Sequence, residues 1–348
     1  MPEPGNTEKV TLADVAKRAG VSVMTASYTY SRPSRVSAAS RRKVLSAAEV
    51  LGYAGPDPSA RSLRRGTSGA LGVVLGETLP YAFEDPQAAR FLAGIADVCA
   101  EHRLAMTILP TNGSADDSSR IRAAAVDGFV VWTTTDDDPV LEALSLTGKP
   151  VVIHAGPERQ SLGFVGIDDR AAARAVAALG LRGSRNAAVI AFPSTKERLE
   201  TLSNGPDPLA STFPVTRNRL LGFQDAVAAA GFDWNQVPVA FCSTNAFSDG
   251  ARAAQRLLDG PGTPDLFLTM SDELALGALQ AVEANGIAVP SQLALTGWDA
   301  SAAGTDRGLT SVYQDLREQG AASAQAAIQG LSQSAWKTWK VVSGRTTR

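Results

Sequence analysis

The spacing of hydrophobic positions changes along the chain, and the change divides it in two. In residues 11–20, Leu12, Val15, Ala16 and Ala19 fall on one helical face; Thr11 stands where it can cap the helix, Asp14 complements the positive first turn, and Gly20 stops it. Val21 and Ser22 follow, with Ser22 capping a second helix that runs to about Tyr30. Two short helices joined by a tight turn containing glycine make helix-turn-helix geometry. Residues 40–51 predict a third helix, in which Val44, Ala48 and Leu51 recur on the face that closes a small core, and Gly52-Tyr53 ends it. Spacing alone does not separate this arrangement from an unrelated small helical bundle.

From Ser68 onward short apolar runs alternate with longer amphipathic stretches. The runs predict buried strands at 70–75, 104–109, 127–132, 151–154, 187–191, 237–241, 266–270 and 293–296. Helices are predicted between most of them, notably at 86–101, 169–179, 219–230, 249–259 and 272–284. That alternation calls for parallel sheets with helices on both faces, and the length suits two sheets, one per lobe. Ligands of such sheets bind beyond the carboxyl ends of the strands, which between two lobes places a site in the cleft.

Composition changes this picture little. The 348 residues are 44% hydrophobic and 20% charged, as in ordinary globular proteins, and no apolar run approaches the roughly 18 residues of a membrane span. The first nine residues lack the apolar core of a secretory signal, so a cytoplasmic location is expected and no membrane partner. Cys99 and Cys242 sit among apolar neighbours and read as buried thiols. No dinucleotide or phosphate-loop motif is present, and neither His102 nor His154 has ligand-like or triad-like companions, so no enzyme, catalytic residue, cofactor or metal is expected. Charge is more telling once divided: residues 1–66 carry eleven Lys and Arg against five acids, +6, which leaves −8 for the rest. A basic head on an acidic body suits a nucleic-acid module joined to one that does not bind phosphate.

Particular residues sharpen the head. Val10-Thr-Leu-Ala-Asp-Val-Ala-Lys-Arg-Ala-Gly-Val-Ser22, then Thr25-Ala-Ser27, Val36-Ser37 and Leu51-Gly-Tyr53, resembles the DNA-binding headpiece of the lactose-repressor (LacI/GalR) family in order and spacing. The resemblance continues into a hinge at 56–66, where Leu63 of Ala60-Arg61-Ser62-Leu63 matches a leucine that wedges into the minor groove, with arginines neutralising phosphates beside it. The competing reading of Leu63 is a core leucine, and the segment before Ala60 is one residue longer than the family's common form, which unsettles the hinge register. On the second helix the resemblance turns Val23, Met24, Ser27 and Tyr28 toward base edges and Ser22 and Thr25 toward phosphates, with Thr11 completing the headpiece set; the competing reading of Met24 and Tyr28 is as core residues. Tyr28 stands where many relatives carry arginine, so their base preference does not transfer.

The body is similar to the family's periplasmic-binding-protein-like effector domain through Val126-Asp-Gly-Phe129, Val165-Gly-Ile-Asp-Asp169, Arg219-Leu-Leu-Gly222, Met270-Ser-Asp-Glu273 and Thr296-Gly-Trp-Asp299. The implied fold is an all-α helix-turn-helix headpiece plus an α/β sensor with two parallel-sheet lobes, divided as 1–54, a hinge at 55–67, and 68–348. By motif, Arg219 would hold effector oxygens and Asp299 would accept from hydroxyls or amines, a guanidinium fork and a carboxylate on opposite cleft walls; the competing reading of each is a structural ion pair. Tyr81, Phe83, Asp168, Phe247 and Asp272 are further candidates from the same strand ends. Asp299 is followed by Ala300 where many relatives have a second acid, and Ser271 replaces a common asparagine, so no relative's ligand is carried over. No leucine heptad closes the chain, and a homodimer is expected. The resemblance implies a repressor released from near-palindromic double-stranded operator DNA by a small-molecule, carbohydrate effector. A corepressor-dependent or activating regulator with a non-sugar ligand is the alternative, with an enzyme or a transport-associated binding protein further off.

Overall fold

Side-chain caps decide where the first helices begin. A computed structural model describes residues 10–55 and 67–348, and the chain divides into two compact units, Met1–Ser68 and Gly69–Arg348. In the first, α1 (Leu12–Ala19) opens on a reciprocal cap: the Thr11 amide donates to Asp14 Oδ2 at 2.9 Å, and the Asp14 amide donates to Thr11 Oγ1 at 3.4 Å. Gly20 ends it in the left-handed region (φ 65°), which L side chains avoid, and so permits the tight turn into α2 (Val23–Ser31). Ser22 caps α2 by accepting from the Thr25 amide at 3.1 Å, and Ser37 does the same for α3 (Ala38–Leu51) at 3.2 Å. Val15, Ala16, Ala26, Val44, Ala47 and Ala48 form the shared core, with Leu12, Ala19, Val21 and Leu51 packed around it.

The second unit has two lobes. The first holds β1 (Ala70–Leu75), α4 (Leu79–Glu84), α5 (Pro86–His102), β2 (Ala105–Pro110), α6 (Ala115–Ala123), β3 (Gly128–Trp132), α7 (Pro139–Leu146), β4 (Val151–His154) and β5 (Gly163–Gly166). The chain then crosses to α8 (Asp169–Gly180), β6 (Ala187–Ala191), β7 (Thr201–Asn204), α9 (Pro214–Ala229), β8 (Pro238–Phe241), α10 (Phe247–Leu258), β9 (Leu266–Thr269), α11 (Asp272–Ala284), β10 (Ala294–Asp299), α12 (Ala302–Arg307) and β11 (Thr310–Tyr313). It returns for α13 (Leu316–Gln329) and β12 (Ser334–Trp336), and crosses once more for β13 (Lys340–Val342). The lobes are thus joined by three short crossovers, at 167–168, 314–315 and 337–339.

The first sheet runs β2-β1-β3-β4-β5-β12 with every pair parallel. The second runs β7-β8-β6-β9-β10-β11-β13, parallel except for its two edge strands, which lie antiparallel to their neighbours. Both sheets therefore reverse strand order beside their first strand, β1 or β6, and such switch points open a crevice at the carboxyl ends. All eight predicted strands are present. The pattern of apolar runs does not reveal β5, β7, β11, β12 and β13: each is three or four residues long, β5 has glycine at both ends, and β7 is exposed throughout. Cys99 and Cys242 are buried and free, as their apolar settings implied, and burial pushes the Cys242 thiol up to about 12.

Candidate functional site

Two surfaces carry the chemistry. On the first unit, α2 turns Ala26 and Thr29 into the core and leaves Val23 and Met24 53% and 64% exposed, with Ser27 and Tyr28 half-buried on the same side. A large apolar side chain held outward on the first turn of a capped helix adds little to its own fold. Ser22 and Thr25 are tied to each other, Oγ to Oγ1 at 2.9 Å, and Thr11 to Asp14, so these hydroxyls set the helix starts. Tyr30 is turned away, edge-on to Tyr53 with ring centroids 6.2 Å apart. The hinge candidates Ala60, Arg61 and Leu63 lie outside the described residues.

On the second unit a cleft of about 940 Å³, measured out to its open mouth, lies between the carboxyl ends of the two sheets. From the first lobe, Tyr81 follows β1, Trp132 ends β3 with Thr134 just beyond it, and His154 ends β4. Tyr81 lies 6.5 Å from Trp132 on this wall, and Trp132 is backed by the buried Phe91, stacked 5.1 Å away. The second lobe supplies Phe192, Phe213, Arg219, Asn245 and Asp299, and Gln314 comes from a crossover. An apolar wall facing a few fixed polar groups is the usual make-up of a small-molecule site.

Arg219 is the best-held of these groups. Its Nε donates to Asp169 Oδ1 at 2.8 Å, its Nη1 donates to the Met270 carbonyl, and its guanidinium carbon lies 3.7 Å from the centroid of the Trp298 ring. The side chain is only 6% exposed yet lines the cleft, so its fork is aimed before any ligand arrives. Burial raises the Asp169 carboxyl, and the guanidinium opposes that rise. Asp299 ends β10 with φ at 100°, followed by Ala300 at 43°, two non-glycine residues in the left-handed region. Such strain persists only where the surroundings impose it, and it clusters at ligand sites. Burial drives the Asp299 carboxyl well above its usual range, against the pull of Arg219, while Gln314 Nε2 donates to its Oδ1 at 2.8 Å.

Asp272, expected in the site, does another job. Its Oδ2 accepts from the Ser301 amide at 2.6 Å and its Oδ1 from Ser311 Oγ at 2.8 Å, which leaves both oxygens buckling the turn that carries Asp299. Gly297 makes room for it, since a Cβ there would lie 2.3 Å from Asp272 Oδ1. Phe83 and Phe247 do not line the cleft either: they are 66% and 40% exposed on α4 and at the start of α10. Asp168 caps α8 by accepting from the Ala171 amide at 2.9 Å, and the neighbouring Asp169 takes the place by Arg219. Arg219 and Asp299 also come from one lobe, not from opposite walls; the facing wall is the aromatic one. Tyr81 lines the cleft as expected, and burial raises its phenol well above the usual value.

Polar pairs bridge the lobes around the cleft. Asn245 Nδ2 donates to Asp85 Oδ2 at 2.8 Å, Arg198 Nη2 to Glu77 Oε1 at 2.6 Å, and Lys196 Nζ lies 3.2 Å from Asp138 Oδ2. Arg217 pairs with Asp136, whose amide also donates to the Thr212 carbonyl at 3.1 Å. These residues, with Gln319, escape a reading of the sequence because the partner of each is remote in the chain, and His154, which shows no companion there, meets Gln319 from 165 positions away. Among the described residues no cluster of three or more His, Cys, Asp or Glu is placed to hold a metal, and no helix is long and apolar enough to cross a membrane.

Comparison with known proteins agrees with this architecture. Residues 11–55 match the bacterial regulatory proteins of the lacI family, and residues 182–342 match a periplasmic binding protein-like domain. An HTH-type transcriptional regulator of Mycobacterium tuberculosis is 38% identical over 91% of this chain and 90% of its own length. A crystal structure of a LacI-family transcriptional regulator from Corynebacterium glutamicum superposes with a TM-score of 0.74 at 28% identity, covering 97% of this chain and 98% of that one. The transcriptional regulator CelR in complex with cellobiose shares the fold, with a TM-score of 0.68 at 24% identity over 97% of this chain and 99% of that one. The chain belongs to the LacI family of bacterial regulatory proteins: it is a transcriptional regulator that joins a helix-turn-helix headpiece to a periplasmic-binding-protein-like domain with two parallel-sheet lobes.

Proposed function

We propose that the protein acts in the cytoplasm as a homodimeric repressor, that residues 1–54 read a near-palindromic operator, and that a carbohydrate in the cleft of residues 68–348 releases it through a hinge at 55–67. The observation that carries the ligand reading is the pairing of a rigid, buried Arg219 fork with a strained Asp299 carboxylate opposite an aromatic wall. Fixed donors and acceptors set among aromatic rings from both lobes suit a molecule with hydroxyls around a ring and C–H groups on its faces. Cellobiose in CelR is a carbohydrate bound by a protein of the same fold, which supports the class and not the identity.

On the DNA side, Val23 and Met24 are free to touch thymine methyls, and Tyr28 can donate to or accept from a base edge. Two headpieces related by a two-fold would place their α2 helices in successive major grooves about one turn apart. Linkage follows from the cleft: a ligand that binds one lobe arrangement better than another shifts the equilibrium between them, and with it the geometry of the paired hinges. The site works by binding, with no chemical step. The test is fluorescence anisotropy of a labelled operator duplex with the full chain, titrated with hexoses, pentoses and disaccharides. Release by one of them, abolished in Arg219→Gln, is the expected result. Unchanged DNA affinity with every carbohydrate, or tighter binding, counts against the release mechanism.

A further inference from the structure

One buried polar atom of a cleft-lining side chain has nothing to bond. His154 lines the cleft and is 3% exposed, and its Nδ1 is buried with no hydrogen-bond partner. Buried polar atoms in native proteins are nearly always paired, and an exception at a ligand site calls for an occupant.

The other ring nitrogen fixes what Nδ1 can do. Nε2 lies 2.9 Å from Gln319 Oε1, Gln319 Nε2 donates to Gln314 Oε1 at 3.2 Å, and Gln314 Nε2 donates to Asp299 Oδ1 at 2.8 Å. This relay runs in one direction. Asp299 accepts, so Gln314 donates with its amide nitrogen and accepts with its oxygen; Gln319 must then donate to it and keep only its own oxygen for the histidine. His154 therefore carries its proton on Nε2, and Nδ1 is a bare acceptor. Phe91 packs against the imidazole with ring centroids 4.4 Å apart, which with the Gln319 bond holds the ring in place.

We infer that His154 Nδ1 is a recognition atom of the cleft, accepting a hydrogen bond from an effector hydroxyl, and that the site selects a polyol over the analogue lacking that hydroxyl. The relay makes His154 and Asp299 two acceptors with fixed settings on opposite lobes, so one ligand donating to both bridges the lobes. This rests on the reading of the cleft as the effector site. A site that accepts from a hydroxyl leaves its own buried atom unpaired with a deoxy ligand, which is why discrimination is strong.

The test uses the full chain. Its thermal unfolding is followed with D-glucose, D-galactose, D-xylose and cellobiose, for the wild type and for Arg219→Gln. A carbohydrate that raises Tm only in the wild type binds the cleft, and its Kd is then measured for His154→Asn and His154→Gln. Asparagine puts an oxygen near the position of Nδ1, whereas glutamine reaches the Nε2 position and keeps the Gln319 bond. The inference predicts that His154→Gln loses at least about ten-fold in affinity while His154→Asn stays closer to wild type. It also predicts that the His154 Nδ1 signal, one of two histidine spin systems in the 15N-histidine spectrum, moves on binding. The reverse order of the two variants, or an unmoved Nδ1 signal with the ligand bound, assigns His154 a packing role and overturns the inference while leaving the cleft reading intact. If none of the four raises Tm, the carbohydrate reading fails and the assignment fails with it.

Discussion

The guanidinium of Arg219 lies over the indole of Trp298, 3.7 Å from the ring centroid, with Asp169 fixing its edge at 2.8 Å. One cation thus meets a ring and a carboxylate, both partners of the ion pair nearly buried. Arg219→Ala strands a buried Asp169, so urea unfolding should show a loss of about 3–5 kcal/mol, the usual cost of leaving one partner of a buried pair. Arg219→Lys keeps the charge but not the planar fork, and should lose less stability while still losing the ligand response. Equal stability of Arg219→Ala and wild type would show that the pair is not holding the cleft.

The exposed turn of α2 separates recognition from folding. Met24→Ala removes a side chain that is 64% exposed, so thermal unfolding should move by less than about 0.5 kcal/mol while the duplex sequences selected by the protein change. Ala26→Glu places a charge in the core and should abolish DNA binding together with headpiece helicity, read by circular dichroism. An unchanged sequence preference in Met24→Ala removes that side chain from the reading surface.

Charge pairs clasp the two lobes. Glu77 is raised by burial, and Arg198 opposes the rise, so Arg198→Met leaves an acid 13% exposed without its cation and should cost about 1–3 kcal/mol. The Arg217–Asp136 pair, whose carboxylate is 41% exposed, should weaken with salt, on the scale of a Debye length of about 8 Å at physiological strength. Small-angle scattering of Arg198→Met should give a larger radius of gyration than the wild type, more so in high salt. No difference at any salt would mean that the clasps do not govern closure.

Protonation of His154 opposes folding. Burial lowers its pKa from the ordinary 6.5 to about 4, so the unfolded chain takes up this proton at a higher pH than the folded one. Its contribution is fully present above about 6.5 and is lost as pH falls toward 4, amounting at most to something on the order of 3 kcal/mol. The difference in unfolding free energy between wild type and His154→Phe should shrink across that window. A constant difference from pH 7 to pH 4 would show that the ring takes up its proton as readily in the native chain as in the unfolded one.

Much of this is legible in the sequence because the relevant physics is local. Caps at Thr11 and Ser22, the stop at Gly20 and the apolar runs of the inner strands each act within a few residues, and Arg219 and Asp299 are marked by their motifs. The rest depends on distance in the chain. Helix α13 is rich in alanine, so its apolar face barely shows, yet it carries Gln319 under His154 from 165 positions away. Asp272 misleads because a strand-end acid looks the same in sequence whether its oxygens face a ligand or, as here, Ser301 and Ser311. Phe247 misleads by its place after a strand end, where the structure turns Asn245 inward instead.

The most direct test of the central claim is selection from a randomised duplex library by the full chain at fixed salt, with the bound sequences read out. The account predicts enrichment of a near-palindrome whose two half-sites lie about one helical turn apart, with the enriched duplex released by a carbohydrate. Absence of any enriched sequence, alone and with carbohydrates added, would contradict it.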